Sequence, residues 1–135
     1  MIKKIEHIGI AVASIEKSIP LFRDLLGIPL ERVFESDAIK TKIAFFPLGE
    51  STIELIEPMD PESAAGKFIQ KRGEGIHHIC FGVENVEKAL RDFEAKGIEL
   101  LNKTPKKTQD GRTIAFLNPK STNGVLIELE EIHAE

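Results

Sequence analysis

The chain carries an internal repeat, with the same residue types at matched positions in two halves. The run IEHIGIAV around His7 has a counterpart in IHHICFGV around His78, 71 residues further on. Three further matches keep this offset of 71: Glu16 with Glu87, Lys17 with Lys88, and Ile43 with Ile114. The repeat predicts that one structural unit occurs twice in the chain, which limits the possible folds to those built by duplication.

Length and charge allow one globular domain and argue against several kinds of partner. With 135 residues, a domain can bury about two-thirds of its unfolded surface without disulfides, and Cys80 is the only cysteine. The net charge of −4 argues against non-specific binding to nucleic acid. No apolar run approaches the roughly 18 residues that span a membrane, and the N-terminal residues lack a signal-peptide pattern. We therefore expect a cytoplasmic protein with no nucleic-acid or membrane partner.

Each repeat begins with a strand and continues with a helix. Apolar and other residues alternate around His7, and this period of two is typical of a strand. Ser14 and Asn85 can cap the helices that follow, and Gly27 and Gly97 stand where those helices should end. Pro20 predicts a frayed or delayed start of the first helix, because proline removes a backbone donor.

Strand-like runs follow each helix and complete the repeated unit. They predict the order β-α-β-β-β in each half, and hence an α+β fold of two tandem modules. The first module covers about residues 1–58, the second about residues 75–135, and a linker of helical character covers residues 59–74. We expect the whole chain, residues 1–135, to form one domain.

Each histidine is followed by a glutamate in an otherwise apolar strand. Glu54 comes 47 residues after His7, and Glu128 comes 50 residues after His78. Alternation places both carboxylates on the face opposite to their apolar neighbours. An unpaired carboxylate in a protein interior costs several kcal/mol, and a divalent cation would remove that cost. Two imidazoles and two carboxylates form a neutral site for such an ion, so we predict a metal site of these four residues.

Register selects the histidine of the second half. Aligning His78 with His7 places His77 on the other face of the strand. A shift of one residue would move every side chain to the opposite face of the sheet. A single histidine in a strand more often has a structural role than a ligating one. The repetition at matched offsets is what favours metal binding here.

Three stretches of this chain resemble the vicinal oxygen chelate superfamily: HIGIAV at 7–12, GEGIHHICFGV at 73–83 and NPKSTNGVLIELE at 118–130. The resemblance implies two βαβββ modules that form a cupped mixed sheet around a divalent metal. Within the superfamily, the likeness is to the epimerases that act on methylmalonyl-CoA. It implies interconversion of the (R) and (S) thioesters through a metal-chelated enolate, an acyl-CoA substrate, a homodimer and a place in propionate metabolism. Cobalt is the ion implied first, with nickel, manganese or zinc as alternatives.

The chain departs from this family at one site position. Several of these epimerases carry glutamine where this chain has Glu54, and a glutamate about eleven residues upstream, near Ile43 of this chain. We therefore hypothesise that Glu54 is both a ligand and the acid/base on one face of the substrate. Glu128 would be the acid/base on the other face of the substrate.

Two other functions stay open. A glyoxalase I type of lactoylglutathione lyase uses related chemistry, but none of the five arginines lies in a matching glutathione motif. A ligand-sequestering member without catalysis is the other alternative, although such proteins often lack the full set of ligands. A basic cluster in the second half could bind CoA phosphates or could be a solvated surface: Lys103, Lys106, Lys107 and Arg112.

Overall fold

The computed structural model describes residues 1–133, which divide into two compact units. One unit contains residues 7–77, and the other contains residues 1–6 with the chain from 78 onward. The first repeat contains β1 Ile2–Ala11, α1 Ile15–Ile19, a π-helical segment Pro20–Leu25, β2 Arg32–Ser36, β3 Thr41–Leu48 and β4 Ser51–Pro58. After α2 Ala64–Arg72, the second repeat contains β5 Gly75–Val83, α3 Val86–Ala95, β6 Lys106–Lys107, β7 Thr113–Leu117, a 3₁₀ turn Pro119–Ser121 and β8 Ile127–Glu131.

The predicted order of elements is confirmed in both repeats. Each has a strand, a helix and three further strands, and α2 lies in the segment where a helical linker was expected. The predicted module limits stay a prediction, and the last two residues of the second module lie outside the described residues. No helix within residues 1–133 has the length and hydropathy needed to cross a membrane.

In the unit of residues 7–77, the strands lie in the order β2-β3-β4-β1. β1 runs parallel to β4, whereas β4 and β3 are antiparallel, as are β3 and β2. One face packs against α1 and the π-helical segment through Phe46 and Leu55. The other face carries a second apolar cluster with Phe45 and Ile56, which packs against α2. Both faces of this half-sheet are therefore partly apolar.

In the other unit, the strands lie in the order β5-β8-β7-β6, with β5 parallel to β8. One face packs against α3 through a single apolar cluster that includes Val86, Leu90 and Leu129. The α3 sequence gives this helix an apolar side that faces the sheet, as expected for an amphipathic helix. The opposite face presents the even-numbered residues of β8, including Glu128.

The prediction of a frayed or delayed start at Pro20 is wrong. α1 begins at Ile15, directly after Ser14, whose side chain accepts a hydrogen bond from the Lys17 amide at 3.1 Å. Pro20 instead begins the π-helical segment, in which the Leu26 amide donates to the Leu21 carbonyl at 2.9 Å.

The π-helical segment accommodates one residue that the first repeat has and the second repeat lacks. The Ile28 amide donates to the Phe22 carbonyl, six residues back, whereas the Ile98 amide donates to the Phe93 carbonyl, five residues back. The isoleucine and phenylalanine of each pair belong to the apolar core beneath their helix. A π-helical turn accommodates such an insertion within a helix, which keeps the flanking core residues in place.

A carboxylate from the last strand of each repeat binds the start of its helix. Glu57 Oε1 accepts a hydrogen bond from the Ile15 amide at 2.6 Å, and Glu131 Oε1 accepts one from the Val86 amide at 3.0 Å. The first amides of a helix have no partner within the helix, and a negative charge there also interacts favourably with the helix dipole. The two glutamates therefore connect β4 and β8, the strands that carry Glu54 and Glu128, to the helices.

Candidate functional site

The first histidine and glutamate form a buried pair within the unit of residues 7–77. Alternation along β1 puts His7 and Gly9 on one face, and the parallel register places Gly9 opposite Glu54 of β4. His7 Nδ1 lies 3.1 Å from Glu54 Oε2, with the two side chains 1% and 5% exposed. Because Gly9 has no side chain, nothing from that position covers the carboxylate.

The second histidine and glutamate form an equivalent pair in the other unit. His78 Nε2 lies 3.1 Å from Glu128 Oε1, with the two side chains 8% and 6% exposed. Phe116, the β7 partner of Glu128, places its ring edge-on to the His78 imidazole, with the ring centroids 6.2 Å apart. The two repeats thus bury the same pair of residue types at the same separation.

The donor atoms of each pair fit a divalent cation. Imidazole nitrogen and carboxylate oxygen are common ligands of Co²⁺, Ni²⁺, Mn²⁺ and Zn²⁺. Burial makes an isolated charged carboxylate costly, and a bound cation would offset that cost. The residues present therefore suit the metal that the sequence predicts.

The structure distinguishes the two adjacent histidines of β5. His78 is buried and paired with Glu128. His77 instead contacts Phe68 of α2 in an edge-on arrangement, with the ring centroids 4.9 Å apart. Metal binding by His78 stays a prediction, but its placement is the one that the register argument expected.

Ile43 lies near the place where the family resemblance implies a glutamate in several epimerases. Ile43 is buried in β3, opposite Ile56, and belongs to the cluster that packs against α2. An isoleucine cannot transfer a proton.

The predicted basic cluster separates into two parts. Lys103, Lys106 and Lys107 are exposed, and the last two form the short strand β6. Arg112, in contrast, is ion-paired: its Nε lies 3.2 Å from Asp110 Oδ1 and its Nη1 lies 3.1 Å from Glu130 Oε1. The lysines remain candidates for phosphate binding, whereas the guanidinium is already paired with two carboxylates.

Glu130 was not predicted from the sequence, although it lies on the same face as Glu128. It is 7% exposed and pairs in register with Ile114 of β7. The period of two along β8 could have indicated its position, since residues two apart share a face. Its partner Arg112 follows a turn. The spacing of residues along the strands does not predict an ion pair between a loop residue and Glu130.

The chain belongs to the Glyoxalase/Bleomycin resistance protein/Dioxygenase superfamily, whose model matches residues 6–116. This membership confirms the family resemblance and the α+β fold of two βαβββ modules that the sequence predicts.

Within the superfamily, the chain is similar to named epimerases. It is 32% identical over 134 residues to the ethylmalonyl-CoA/methylmalonyl-CoA epimerase of Cereibacter sphaeroides, covering 98% of this chain and 100% of that one. It is 33% identical over 129 residues to the mitochondrial methylmalonyl-CoA epimerase of Mus musculus, covering 95% of this chain and 72% of that one. A variant of the Streptomyces coelicolor methylmalonyl-CoA epimerase, solved in complex with 2-nitronate-propionyl-CoA, matches with a TM-score of 0.93 at 30% identity, covering 100% of both chains. The predicted enzyme type, an isomerase of the epimerase kind, is confirmed by these relatives.

Proposed function

We propose that this chain interconverts (R)- and (S)-methylmalonyl-CoA by removing the α-proton and returning a proton to the opposite face. The observation that carries the proposal is the similarity to the Cereibacter sphaeroides epimerase along 98% of the chain. The two buried His–Glu pairs support it, because imidazoles and carboxylates are residue types that can bind a metal and transfer protons.

The α-carbon of this substrate lies between a thioester and a carboxylate, and its deprotonation places negative charge on the neighbouring oxygens. When bound, a divalent metal would supply electrostatic stabilisation of that charge. We propose His7, Glu54, His78 and Glu128 as its ligands. Two neutral imidazoles and two carboxylates balance the charge of one divalent ion, with cobalt proposed first and nickel, manganese or zinc as alternatives.

Proton transfer on two faces requires two acid/base groups or one that moves. We propose that Glu54 accepts the proton on one face and that Glu128 serves the other. Ile43 cannot take this role, and Glu54 lies on the same face of its half-sheet as His7, which is 3.1 Å away and orients the carboxylate. Family likeness also leads us to propose a homodimer, and similarity to the bacterial epimerase of Cereibacter sphaeroides leads us to propose a cytoplasmic location.

Proton exchange tests the proposed activity directly. The cobalt-loaded protein should incorporate deuterium from D₂O into methylmalonyl-CoA and should leave the methylglyoxal–glutathione adduct unchanged. Isomerisation of that adduct without exchange would instead establish a glyoxalase. Metal binding without either reaction would indicate a ligand-sequestering protein.

Metal content tests the ligand set. Mass spectrometry of the native protein should show one cobalt ion per chain, lost in both the His7→Ala and the His78→Ala variants. Two ions per chain, each lost in only one variant, would contradict a single four-ligand site.

A further inference from the structure

The short strand β6 brings one of its two lysines to the face of its half-sheet that carries Glu128. The β6–β7 register pairs Lys106 with Ile114, and the β7–β8 register pairs Ile114 with Glu130. Directly paired residues of antiparallel strands project from the same face, and residues two apart along a strand share a face. Lys106 therefore lies on the face of Glu130 and Glu128, whereas Lys107 lies on the opposite face.

A hydrogen-bonded loop fixes the end of β6 against the rest of this half-sheet. Arg112 Nε lies 3.2 Å from Asp110 Oδ1 and its Nη1 lies 3.1 Å from Glu130 Oε1, which joins the loop to β8. The Thr108 hydroxyl donates to Asp110 Oδ1 at 2.7 Å and accepts from the Arg112 amide at 2.8 Å. The Thr108 amide donates to the Arg112 carbonyl at 2.8 Å. Contacts outside β6 therefore hold this two-residue strand beside β7.

Lys106 is an exposed positive charge in a row whose acid is paired with another residue. Glu130, in the same cross-strand row, has its ion pair with Arg112. The Lys106 side chain is exposed, and no carboxylate among residues 1–133 forms an ion pair with it. A lysine ammonium is a compact charge that binds phosphate oxygens. The edge of this half-sheet thus presents a cation that an anionic ligand can reach.

The surface between Glu128 and Lys106 suits the arm of an acyl-CoA. Neighbouring strands lie about 4.8 Å apart, so β6 is roughly 10 Å from β8. Between them, β7 places Ile114 and Phe116 on this face, and both are half-buried. In an acyl-CoA, the pantetheine arm separates the thioester from the phosphates. With the thioester at the proposed ligand Glu128, the arm can cross these two apolar side chains and bring a phosphate to the edge strand.

We propose that Lys106 binds a phosphate of the acyl-CoA substrate, with the pantetheine arm lying over Ile114 and Phe116. This inference rests on the proposed function. Lys107 is the next residue and carries the same charge, but it takes no part in phosphate binding because it lies on the other face.

Two probes isolate the phosphates: malonyl-CoA carries them, whereas malonyl-pantetheine has the same acyl group and arm without them. Calorimetry at low ionic strength would measure the binding of both probes to the cobalt-loaded wild-type protein and to the Lys106→Met, Lys106→Arg and Lys107→Met variants. Lys107→Met is the matched control, because it removes the same charge from the same strand on the opposite face. Both lysines are exposed, so each variant should keep the Tm of the wild type.

We expect Lys106→Met to weaken malonyl-CoA binding about fivefold, the upper part of the range for an exposed ion pair, and to leave malonyl-pantetheine binding unchanged. Lys106→Arg and Lys107→Met should bind malonyl-CoA like the wild type. The loss in Lys106→Met should decrease at high salt, because salt screens exposed charges.

Four results would overturn the proposal. They are unchanged malonyl-CoA binding by Lys106→Met, an equal loss in Lys107→Met, a matching loss for malonyl-pantetheine, and a wild type that binds malonyl-CoA no more tightly than malonyl-pantetheine.

The two proposals can fail separately. If the wild type shows no proton exchange with methylmalonyl-CoA but malonyl-CoA binding depends on Lys106, the epimerase function is wrong and the phosphate-binding role stands. If the wild type exchanges the proton and Lys106→Met keeps the wild-type affinity for malonyl-CoA, only the role of Lys106 is wrong.

Discussion

The two repeats bury the same His–Glu pair but surround it differently. In the first repeat, the face of Glu54 continues into an apolar cluster with Phe45 and Ile56. In the second, the residue two positions after Glu128 is Glu130, which is ion-paired with Arg112. Both pairs nevertheless have a separation of 3.1 Å. The pair is the shared feature of the duplication, and the two halves surround it with different side chains.

The largest expected effect tests whether the two carboxylates act on opposite faces of the substrate. Glu54→Gln and Glu128→Gln make the same chemical change in the two repeats. Each should slow epimerisation by about 100-fold or more, the usual contribution of a positioned acid/base. Deuterium exchange of the separate (R) and (S) thioesters should show that each variant still exchanges the proton of one enantiomer, and that the enantiomer differs between the variants.

Metal content is the control for that comparison, and Glu54→Gln should retain its cobalt because an amide oxygen can still act as a ligand. Full activity of Glu54→Gln would exclude it as a base. Loss of the same enantiomer's exchange in both variants would assign both carboxylates to one face.

A smaller effect, on stability, is expected from Glu57 and Glu131, the carboxylates that bind the first amide of a helix in the same way in both repeats. Glu57→Gln and Glu131→Gln should each lower the free energy of unfolding by about 1 kcal/mol, since each weakens the interaction with an amide at a helix start. The corresponding change in Tm is roughly 3 °C for a chain of this size.

Urea unfolding would measure both carboxylate variants, with Glu16→Gln as the control, because Glu16 is an exposed acid in the first turn of α1. Unchanged stability in both variants, or an equal loss in the control, would show that these two hydrogen bonds do not stabilise the repeats.

The smallest effect is expected from removing the extra residue of the first repeat. Leu25 in the π-helical segment is 80% exposed, so its deletion should remove no core contact and should give the first helix the length of the second. We expect a change in unfolding free energy within about 1 kcal/mol, measured by the same urea titration. Deleting Ala95 from the regular α3 is the control and should cost more. A deletion at Leu25 that prevents folding would show that the π-helical turn itself is required.

Sequence patterns predicted the order of elements and the strands that carry the four histidine and glutamate residues, because the period-two alternation and the repeat at an offset of 71 residues are visible in the sequence itself. They did not predict the π-helical segment. Counting residues from Ser14 to Gly27 and from Asn85 to Gly97 reveals the extra one, but its location depends on how Phe22 packs in the core.

The ion pair between Arg112 and Glu130 was also missed. It joins a loop residue to a strand 18 positions later, and that contact depends on tertiary packing. Which of Lys106 and Lys107 shares the face of Glu128 depends similarly on the register of β6, which the sequence alone did not predict.

The parallel pairing of β1 with β4 also affects how the first half can fold. His7 and Glu54 are 47 residues apart, and their strands cannot pair until β2 and β3 have been synthesised. Such long-range parallel contacts form slowly, since the loop must close before the contact stabilises it. During translation, therefore, His7 can pair with Glu54 only after almost the whole first repeat has left the ribosome.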